Sequence, residues 1–565
     1  MSASRHKFDR RCRKRALPRA GVVLIVVLIV CAMLTLAAYT FASLMVTYRS
    51  AAKIANRQCQ AEQVVESGAE SVRLFLMQDR ATREENGGQF DNPALFQAVP
   101  VVMGASLIDR ADFTVLSPNL DDDGNLSGVR YGLEDESTRL NLNALLLLDK
   151  AQENAARDLL MGLPGMTEDI ADAILDWIDE DDEPREFGAE SDYYMSLDPP
   201  YAAKNGPLDT VEELLLVRGV TPELLFGADA NRNGTLDPSE MERSQMLAPL
   251  QMGATTASSA SADTETAATD AAASETQDSS TADILNTGSM DRGWAGYLTL
   301  YSAEKNVNSD GEPRIDLNSD DLETLYESLA ERLNEDWARF IIAYRQFGPY
   351  SGNDSGKDLA TIGDLDLTKN GRTKLTQVLD LIGKKVQVTV PGENDPIVIA
   401  PAFPNDPISM AVYLPVLMDN TTITSDKTIP GRININQAPR PILQGIPGMD
   451  SDMVEQILAQ RETGAEQTMD ASEQNHETWL LMAGIVTLDQ MKKLMPFVTT
   501  GGDVYRAQIV GYYEDGGVAS RAEVIFDATG PVPRIVSWKD ISHLGRGYPL
   551  DVLGLHSTDG LGVGQ

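Results

Sequence analysis

Cysteine and histidine are scarce in this chain of 565 residues, which contains three cysteines and four histidines. So few thiol and imidazole groups exclude a disulfide framework and leave little room for a zinc cluster. The sequence also lacks a phosphate-binding loop, a dinucleotide fingerprint, a CxxC pair and a nucleophile elbow. Because no catalytic constellation is visible, we expect a protein that is not an enzyme.

Positive charge is scarce outside the N-terminus. The chain has 47 Lys and Arg against 85 Asp and Glu, a formal net charge of −38. Residues 1–20 carry eight basic groups and one acid, so the remaining 545 residues carry −45. A body this acidic repels phosphate backbones, which disfavours nucleic acid as a partner.

One long hydrophobic run is present, directly after the basic residues. Residues 22–46 contain no charged side chain, and this run exceeds the roughly 20 apolar residues that cross a bilayer. The basic cluster before it predicts a cytoplasmic N-terminus and a body on the other side. The border between charge and apolar run resembles a prepilin-type signal, in which the leader is cut between Gly21 and Val22. Val26 then takes mature position five, where most pilins have Glu.

The middle of the chain contains an internal repeat. Three segments open alike, with Arg, Leu or Ile, Asn or Asp, Leu or Ile, and Asn, at residues 139–143, 314–318 and 432–436. The first and third continue to a Pro-Gly-Met turn that is followed by an apolar helical pattern. This pattern predicts two helix-hairpin-helix units, whose turns contain Pro164, Gly165, Pro447 and Gly448.

Such units often bind DNA through the amides of the hairpin, so DNA binding is the rival hypothesis. The helix after the first turn runs into an acidic stretch, residues 176–183, which would meet a phosphate with negative charge. The stretch itself has two interpretations, a metal or acid cluster and a solvated face, of which the solvated face is more common. We therefore favour protein-packing helical modules.

A calcium-binding loop is the most specific chemical motif. Residues 229–240 fit the EF-hand pattern, with oxygen ligands at positions 1, 3, 5, 9 and 12, a carbonyl at position 7 and Gly234 at position 6. Calcium takes six to eight hard oxygen ligands, and a bidentate Glu at position 12 completes them. The alternative is a polar turn between two helices. The predicted ligands are Asp229, Asn231, Asn233, Thr235, Asp237 and Glu240.

Alternating apolar and polar residues near both ends of the body predict a sheet. Residues 504–513, 519–526 and 533–538 alternate in this way and predict a three-stranded antiparallel meander. Residues 113–116 and 128–131 predict an earlier hairpin. The long N-terminal helix is the natural cover for the apolar face of this sheet. The helical units are then inserted between the early and late strands.

Residues 173–222 contain the most distinctive stretches of the chain. In chain order these read AILDWID from 173, DEPR from 182, GAE from 188, LDPPY from 197 and VRGVTP from 217. They resemble the minor pseudopilin K family of type II secretion systems, as do residues 20–80 and the segment ININQAP with its later IPGM turn. The missing Glu at mature position five is also a trait of that family.

The resemblance implies a structural role in protein secretion. Members are cut and N-methylated by the prepilin peptidase, join minor pseudopilins I and J, and cap the pseudopilus tip. Their large helical insert is expected to contact the outer-membrane secretin or the exported cargo, and their large domain to bind calcium. Two alternatives stay open: a membrane-anchored helix-hairpin-helix DNA-binding protein of the competence type, and a calcium-dependent surface or adhesion protein with an uncleaved anchor.

The expected fold is α+β, with a pilin-like long N-terminal helix plus an antiparallel sheet and large inserted all-α helix-hairpin-helix (SAM-like) units. The expected location is the inner membrane, with a single span and the body in the periplasm. The expected domains are a prepilin-type leader (1–21), a transmembrane helix (22–46), a helix continuation with the first strands (47–135), a first helix-hairpin-helix unit with the EF-hand-like loop (136–250), a disordered linker of Ala, Ser, Thr and acids (251–290), a second helical region (291–500) with a hairpin at 432–465, C-terminal antiparallel strands (501–545) and a flexible tail (546–565).

Overall fold

The computed structural model describes residues 20–251, 291–357, 365–389, 396–466 and 474–555. Most of the predicted leader (1–19), most of the predicted linker (252–290) and half of the predicted tail (556–565) lie outside the described residues.

The first element is one long helix, α1 (Ala20–Leu76), of 57 residues. At 1.5 Å per residue it is about 85 Å long. It is the one helix of the described chain that is long and apolar enough to cross a membrane. None of the residues in its most apolar stretch is buried in the protein. Its C-terminal turns instead pack on the body and bury Ala61, Val65 and Val72. One apolar helix near the N-terminus is therefore confirmed within the described residues, and it fits a single-pass membrane anchor.

Two short helices and the first four strands follow α1. They are α2 (Arg80–Glu85), α3 (Pro93–Phe96), β1 (Val99–Val102), β2 (Ala111–Leu120), β3 (Leu126–Arg130) and β4 (Glu134–Asp135). The antiparallel pair of β2 and β3 contains the predicted early hairpin.

A large insert follows β4. Its α-helices are α4 (Leu145–Ala151), α5 (Ala155–Met161), α6 (Glu168–Ile178), α7 (Ser191–Tyr194), α8 (Pro222–Phe226), α9 (Pro238–Gln251), α10 (Leu322–Arg332), α11 (Glu335–Phe347), α12 (Pro407–Asn420), α13 (Arg440–Gln444), α14 (Ser451–Glu466), α15 (Trp479–Met482) and α16 (Leu488–Leu494). Its strands are β5 (Leu140–Asn141), β6 (Leu298–Thr299), β7 (Ala303–Lys305), β8 (Ile315–Asp316), β9 (Pro349–Tyr350), β10 (Lys385–Val388), β11 (Ile397–Ile399), β12 (Thr421–Thr422), β13 (Thr428–Pro430), β14 (Ile433–Asn434) and β15 (Val498–Thr499).

The expectation of an all-α insert is therefore wrong. The Arg-led openings of the three sequence repeats form short strands, because their alternating residues place the apolar side chains on one face. Each strand finds a parallel partner: β5 pairs with β6, β8 with β12 and β14 with β15. A further three-stranded sheet has the order β11-β10-β9.

The chain then returns to the first sheet through β16 (Val504–Tyr513), β17 (Ala519–Asp527) and β18 (Arg534–Asp540). These strands form the predicted antiparallel meander. The strand order is β1-β2-β16-β17-β18, with β3 on β2 and β4 on β16. Because β2 pairs with β16, the whole insert is bracketed by two neighbouring strands.

Three hydrophobic clusters are found among the described residues, a small one around Tyr512 and Tyr548 and two larger ones that hold these layers. One joins the inner face of the sheet to α1, through side chains such as Val65, Phe113 and Ile509. The other extends without a break from Leu140 to Val498, across both sides of residues 252–290. The two halves of the insert therefore share one core.

Candidate functional site

The two Pro-Gly turns lie between helices. Gly165 separates α5 from α6, and Gly448 separates α13 from α14. Both glycines have a positive φ, 69° and 82°, which residues with a Cβ rarely adopt. Each turn follows a proline, Pro164 or Pro447. A helix, a tight turn and a second helix are therefore present at both positions.

The two turns pack directly against each other. Gly162 and Gly445 occupy equivalent places, two residues before the prolines. A Cβ on Gly162 would lie 2.5 Å from the carbonyl oxygen of Pro441 and 2.8 Å from Cα of Gly445. Because these are backbone atoms, the approach requires a residue without a side chain. The first and third repeats thus form a pair in contact.

The first turn is covered by an aromatic residue from elsewhere in the insert. Trp294 is fully buried, and its Nε1 donates a hydrogen bond of 2.7 Å to the carbonyl oxygen of Pro164. The flanking side chains of Leu163 and Met166 are also buried. The first turn is therefore packed against the rest of the insert.

An acidic cluster lies at the C-terminal end of α6. Carboxylate oxygens of Asp176, Asp179 and Glu190 all lie within 4.8 Å of one another, the one such set of three among the described residues. Asp176 is fully buried and Glu190 is 4% exposed. Arg185 donates hydrogen bonds to Asp176 at 2.8 Å and to Asp179 at 2.5 Å. The rest of the acidic stretch, residues 180–183, is exposed, as expected of a solvated face.

The carboxylate of Glu190 is left without compensation. Within the described chain, neither of its oxygens has a hydrogen-bond partner, and Asp179 Oδ1 has none either. Burial, followed by the negative charge of Asp176, raises the pKa of Glu190 to about 7. A buried, unpaired carboxylate is costly, and a hard divalent cation is the group that satisfies such a set of oxygens. Glu190 belongs to the GAE stretch that contributes to the family resemblance, but no spacing in the sequence marks it as a metal ligand.

The loop at 229–240 is held by its own hydrogen bonds. Asp229 accepts from the amides of Asn233 at 3.1 Å and Gly234 at 3.0 Å. Asp237 accepts from the amide of Glu240 at 3.1 Å. Glu240 accepts from the amides of Ala230, Asn231 and Asp237.

The predicted ligands differ in where their side chains lie. Asp229, Asn233 and Glu240 are buried, whereas Thr235 and Asp237 are exposed. Asn231 Oδ1 is buried and has no hydrogen-bond partner among the described residues. The three carboxylates of the loop do not form a set within 4.8 Å. Position 9, Asp237, often acts through a water molecule in such loops, so its exposure fits the pattern.

The predicted processing site lies at the start of α1. Gly21 and Val22 are in its first turn, and Val22 is exposed. Val26 lies one turn further along the helix and is exposed as well.

Known proteins share the segment that contains the first turn and the acidic cluster. Residues 138–226 match the family model described as type II secretion system (T2SS), protein K. Residues 138–226, called the protein K domain below, are thus similar to that family. Type II secretion system protein K of Pseudomonas aeruginosa is 37% identical over 106 residues, which cover 18% of this chain and 31% of that protein. The protein of the same name from Klebsiella pneumoniae is 28% identical over 134 residues, covering 22% and 39%.

The protein K domain confirms the resemblance drawn from the sequence. It contains Asp176, Asp179 and Glu190, and it ends three residues before Asp229. The chain matches about a third of the length of these curated relatives. A solved structure, the GspK-GspI-GspJ complex from the enterotoxigenic Escherichia coli type 2 secretion system, is also similar, with 12% identity, coverage of 86% of this chain and 98% of that chain, and a TM-score of 0.29.

Proposed function

We propose that this chain is a minor pseudopilin of a type II protein secretion system, acting structurally at the pseudopilus tip in export across the outer membrane. The observation that carries this proposal is the protein K domain at residues 138–226. The proposed role is structural and not catalytic.

The architecture supports a position at the tip. The exposed apolar part of α1 suits packing in lipid or among like helices. Val26 brings no carboxylate to pair with the N-terminus of a neighbour, which suits a subunit with nothing above it. The insert between β4 and β16 adds bulk to the sheet and would block further subunits from stacking.

The proposed membrane arrangement and partners follow from this role. The chain is an inner-membrane protein with a single span and its body in the periplasm, and the prepilin peptidase removes residues 1–21. Its partners are minor pseudopilins I and J and other pseudopilus subunits, with the secretin or the cargo at the exposed end. GspK of enterotoxigenic Escherichia coli forms such a complex with GspI and GspJ.

We also propose that the paired turns belong to two helix-hairpin-helix (SAM-like) units that serve protein packing. The contact between Gly162 and Gly445 supports this role, because it uses the turns to hold the insert together. The cover of Trp294 over Pro164 supports it further.

Calcium is the proposed cofactor, and residues in two places fit it. The first is the loop of Asp229, Asn231, Asn233, Thr235, Asp237 and Glu240, in which Asn231 Oδ1 is a buried acceptor without a partner in the described chain. The second is the cluster of Asp176, Asp179 and Glu190, in which neither carboxylate oxygen of Glu190 has a hydrogen-bond partner in the described chain. A bound calcium ion would be coordinated by these hard oxygen ligands and would offset their negative charge.

The mature N-terminus tests the proposed role. The full chain is expressed in membranes with and without a prepilin peptidase, and its N-terminal residue is determined by mass spectrometry. We expect N-methylated Val22 only when the peptidase is present, and we expect a Gly21→Leu variant to stay uncut. Retention of residues 1–21 with an active peptidase would refute the pseudopilin proposal and favour an anchored surface protein.

A further inference from the structure

The loop at 229–240 lies against the sheet, although it belongs to the helical insert. Gln508 of β16 donates a hydrogen bond of 2.7 Å to the carbonyl oxygen of Arg232. Arg521 of β17 donates to the carbonyl oxygen of Asn231. In the opposite direction, Asn233 Nδ2 donates to the carbonyl oxygen of Gly547 at 2.8 Å. Three segments of the C-terminal region, β16, β17 and the stretch at Gly547, therefore hold this one loop.

The early strands contact the same loop. A Cβ on Gly234 would lie 3.1 Å from Cβ of Pro118, in β2, and 3.6 Å from the side chain of Val129, in β3. Gly234 has a φ of +70°. The sharp turn at position 6 of the loop thus packs against the first hairpin of the sheet.

Arg521 depends on the loop for its hydrogen bonding. Its side chain is fully buried, and Nε and Nη1 have no partner in the described residues. The remaining nitrogen, Nη2, donates to the loop carbonyl of Asn231. An unsatisfied buried charge is costly, and loss of this contact would leave the guanidinium without a hydrogen-bond partner in the described residues. Arg521 of the sheet therefore needs this loop as its hydrogen-bond acceptor.

Hydrogen bonds at the loop also connect the two chain segments that flank residues 252–290. The carbonyl oxygen of Asp291 accepts hydrogen bonds from the amides of Ala228 at 2.9 Å and Asp229 at 2.8 Å. Asp291 Oδ1 accepts from Ser244 Oγ, in α9, at 2.7 Å. The start of the loop, the helix after it and the returning chain thus meet at one place.

We propose that residues 229–240 form a calcium-dependent joint, a segment that attaches the helical insert to the sheet and is stabilised by a bound calcium ion. This inference rests on the proposed calcium site in the loop. The backbone that positions the ligand oxygens also carries the carbonyls that Gln508 and Arg521 bind. A cation that stabilises this loop conformation also stabilises the contact with the sheet, because the two share one backbone.

Hydrogen–deuterium exchange of the full chain in detergent, with calcium or magnesium added, tests the joint. We expect calcium to slow amide exchange by about tenfold in peptides covering 229–240, 505–525 and 545–550 together. Magnesium is expected to have a smaller effect, since it demands a tighter octahedral shell.

Two variants separate the cation from the docking contacts. Glu240→Gln removes the ligand at position 12 and should abolish the calcium effect at all three places, whereas Glu242→Gln, an exposed acid on the same helix, should leave it intact. Gln508→Met keeps every loop ligand and removes the hydrogen bond to the carbonyl oxygen of Arg232, together with the one that Gln508 accepts from Tyr548. It should retain protection of 229–240 and lose at least part of the protection at 505–525.

The outcomes distinguish the proposed joint from the calcium site on which it rests. If calcium slows exchange in 229–240 but leaves the sheet peptides unchanged, the joint is refuted and the calcium site stands. If calcium changes exchange at none of these segments, both the site and the joint are refuted. Neither result bears on processing at Val22, which tests the pseudopilin role separately.

Discussion

A buried aspartate in β2 makes the stability of this protein sensitive to pH. Asp112 is 5% exposed, and its Oδ1 has no partner within the described residues. Burial, with a smaller effect from the charge of Glu514, raises the pKa of Asp112 from 3.8 to about 6. A carboxyl with a raised pKa favours the folded state when protonated, so its contribution is full below pH 3.8 and is lost as pH rises through about 6.

Asp112→Asn should therefore raise the stability at pH 7 by about 1–3 kcal/mol and by about half as much at pH 5. Chemical denaturation of the full chain in detergent at both pH values measures the difference. Asp109→Asn, at an exposed position in the preceding turn, is the matched control and should change little. An equal effect of Asp112→Asn at both pH values would show that the carboxyl is not destabilising when ionised.

Glu190 gives a second prediction for a single residue. Its unpartnered carboxylate is costly without a cation, so Glu190→Gln should raise the stability of the calcium-free protein by about 1–3 kcal/mol. If both proposed sites bind, calcium titration should give about two ions per chain for the parent and about one for this variant. Glu186→Gln, an exposed neighbour, should behave like the parent. An unchanged stoichiometry in Glu190→Gln would remove this cluster from the calcium sites.

At the scale of elements, the contact between the two turns is held by small residues. Gly162→Ala places a Cβ 2.5 Å from the carbonyl oxygen of Pro441, so the α5–α6 and α13–α14 pairs must move apart. We expect a loss of about 1–3 kcal/mol, measured by thermal or chemical unfolding. Gly206→Ala is the control, because its Cβ would meet nothing closer than 3.8 Å. Equal stability of the two variants would show that the turns do not rely on this approach.

The three repeat openings show what the sequence could reveal at this scale. Their shared letters predict three similar segments, and each does form a strand followed by an Asx turn. The turns are Asn141 to Asn143, Asp316 to Asn318, and Asn434 to Asn436. Their strand partners are beyond prediction, because β6, β12 and β15 are two-residue segments with no pattern of their own. Paired residues lie 65 to 158 positions apart in the sequence.

The whole molecule shows the same division between local and distant information. The anchor helix is predictable from its long apolar run, and the hairpin of β2 and β3 and the C-terminal meander are predictable from their alternating residues. The position of the 229–240 loop is not, since its partners Gln508, Arg521 and Gly547 lie more than 270 residues away and have no recognisable motif. The same holds for Glu190, whose role depends on the path of the chain after α6.

The shared core of the insert predicts how the molecule responds to a cut. Buried side chains form one cluster from Leu140 to Val498, and β2 pairs with β16, so each half of the chain completes the other. A protease site placed at residues 265–275 should therefore yield two fragments that co-purify in detergent and melt as one unit. We expect a midpoint close to that of the uncut chain, since no contact among the described residues is removed.

Dissociation of the same fragments in urea, followed by their separation, is the control that shows cleavage to be complete. Fragments that separate under native conditions, or that melt in two steps, would show that the halves on either side of residues 252–290 are independent domains. Association is expected because separation would expose the residues that bridge the halves, among them Trp294 on the turn at Pro164 and Gly162 against Gly445. Burial of that much apolar surface far outweighs the entropy gained by cutting one connection.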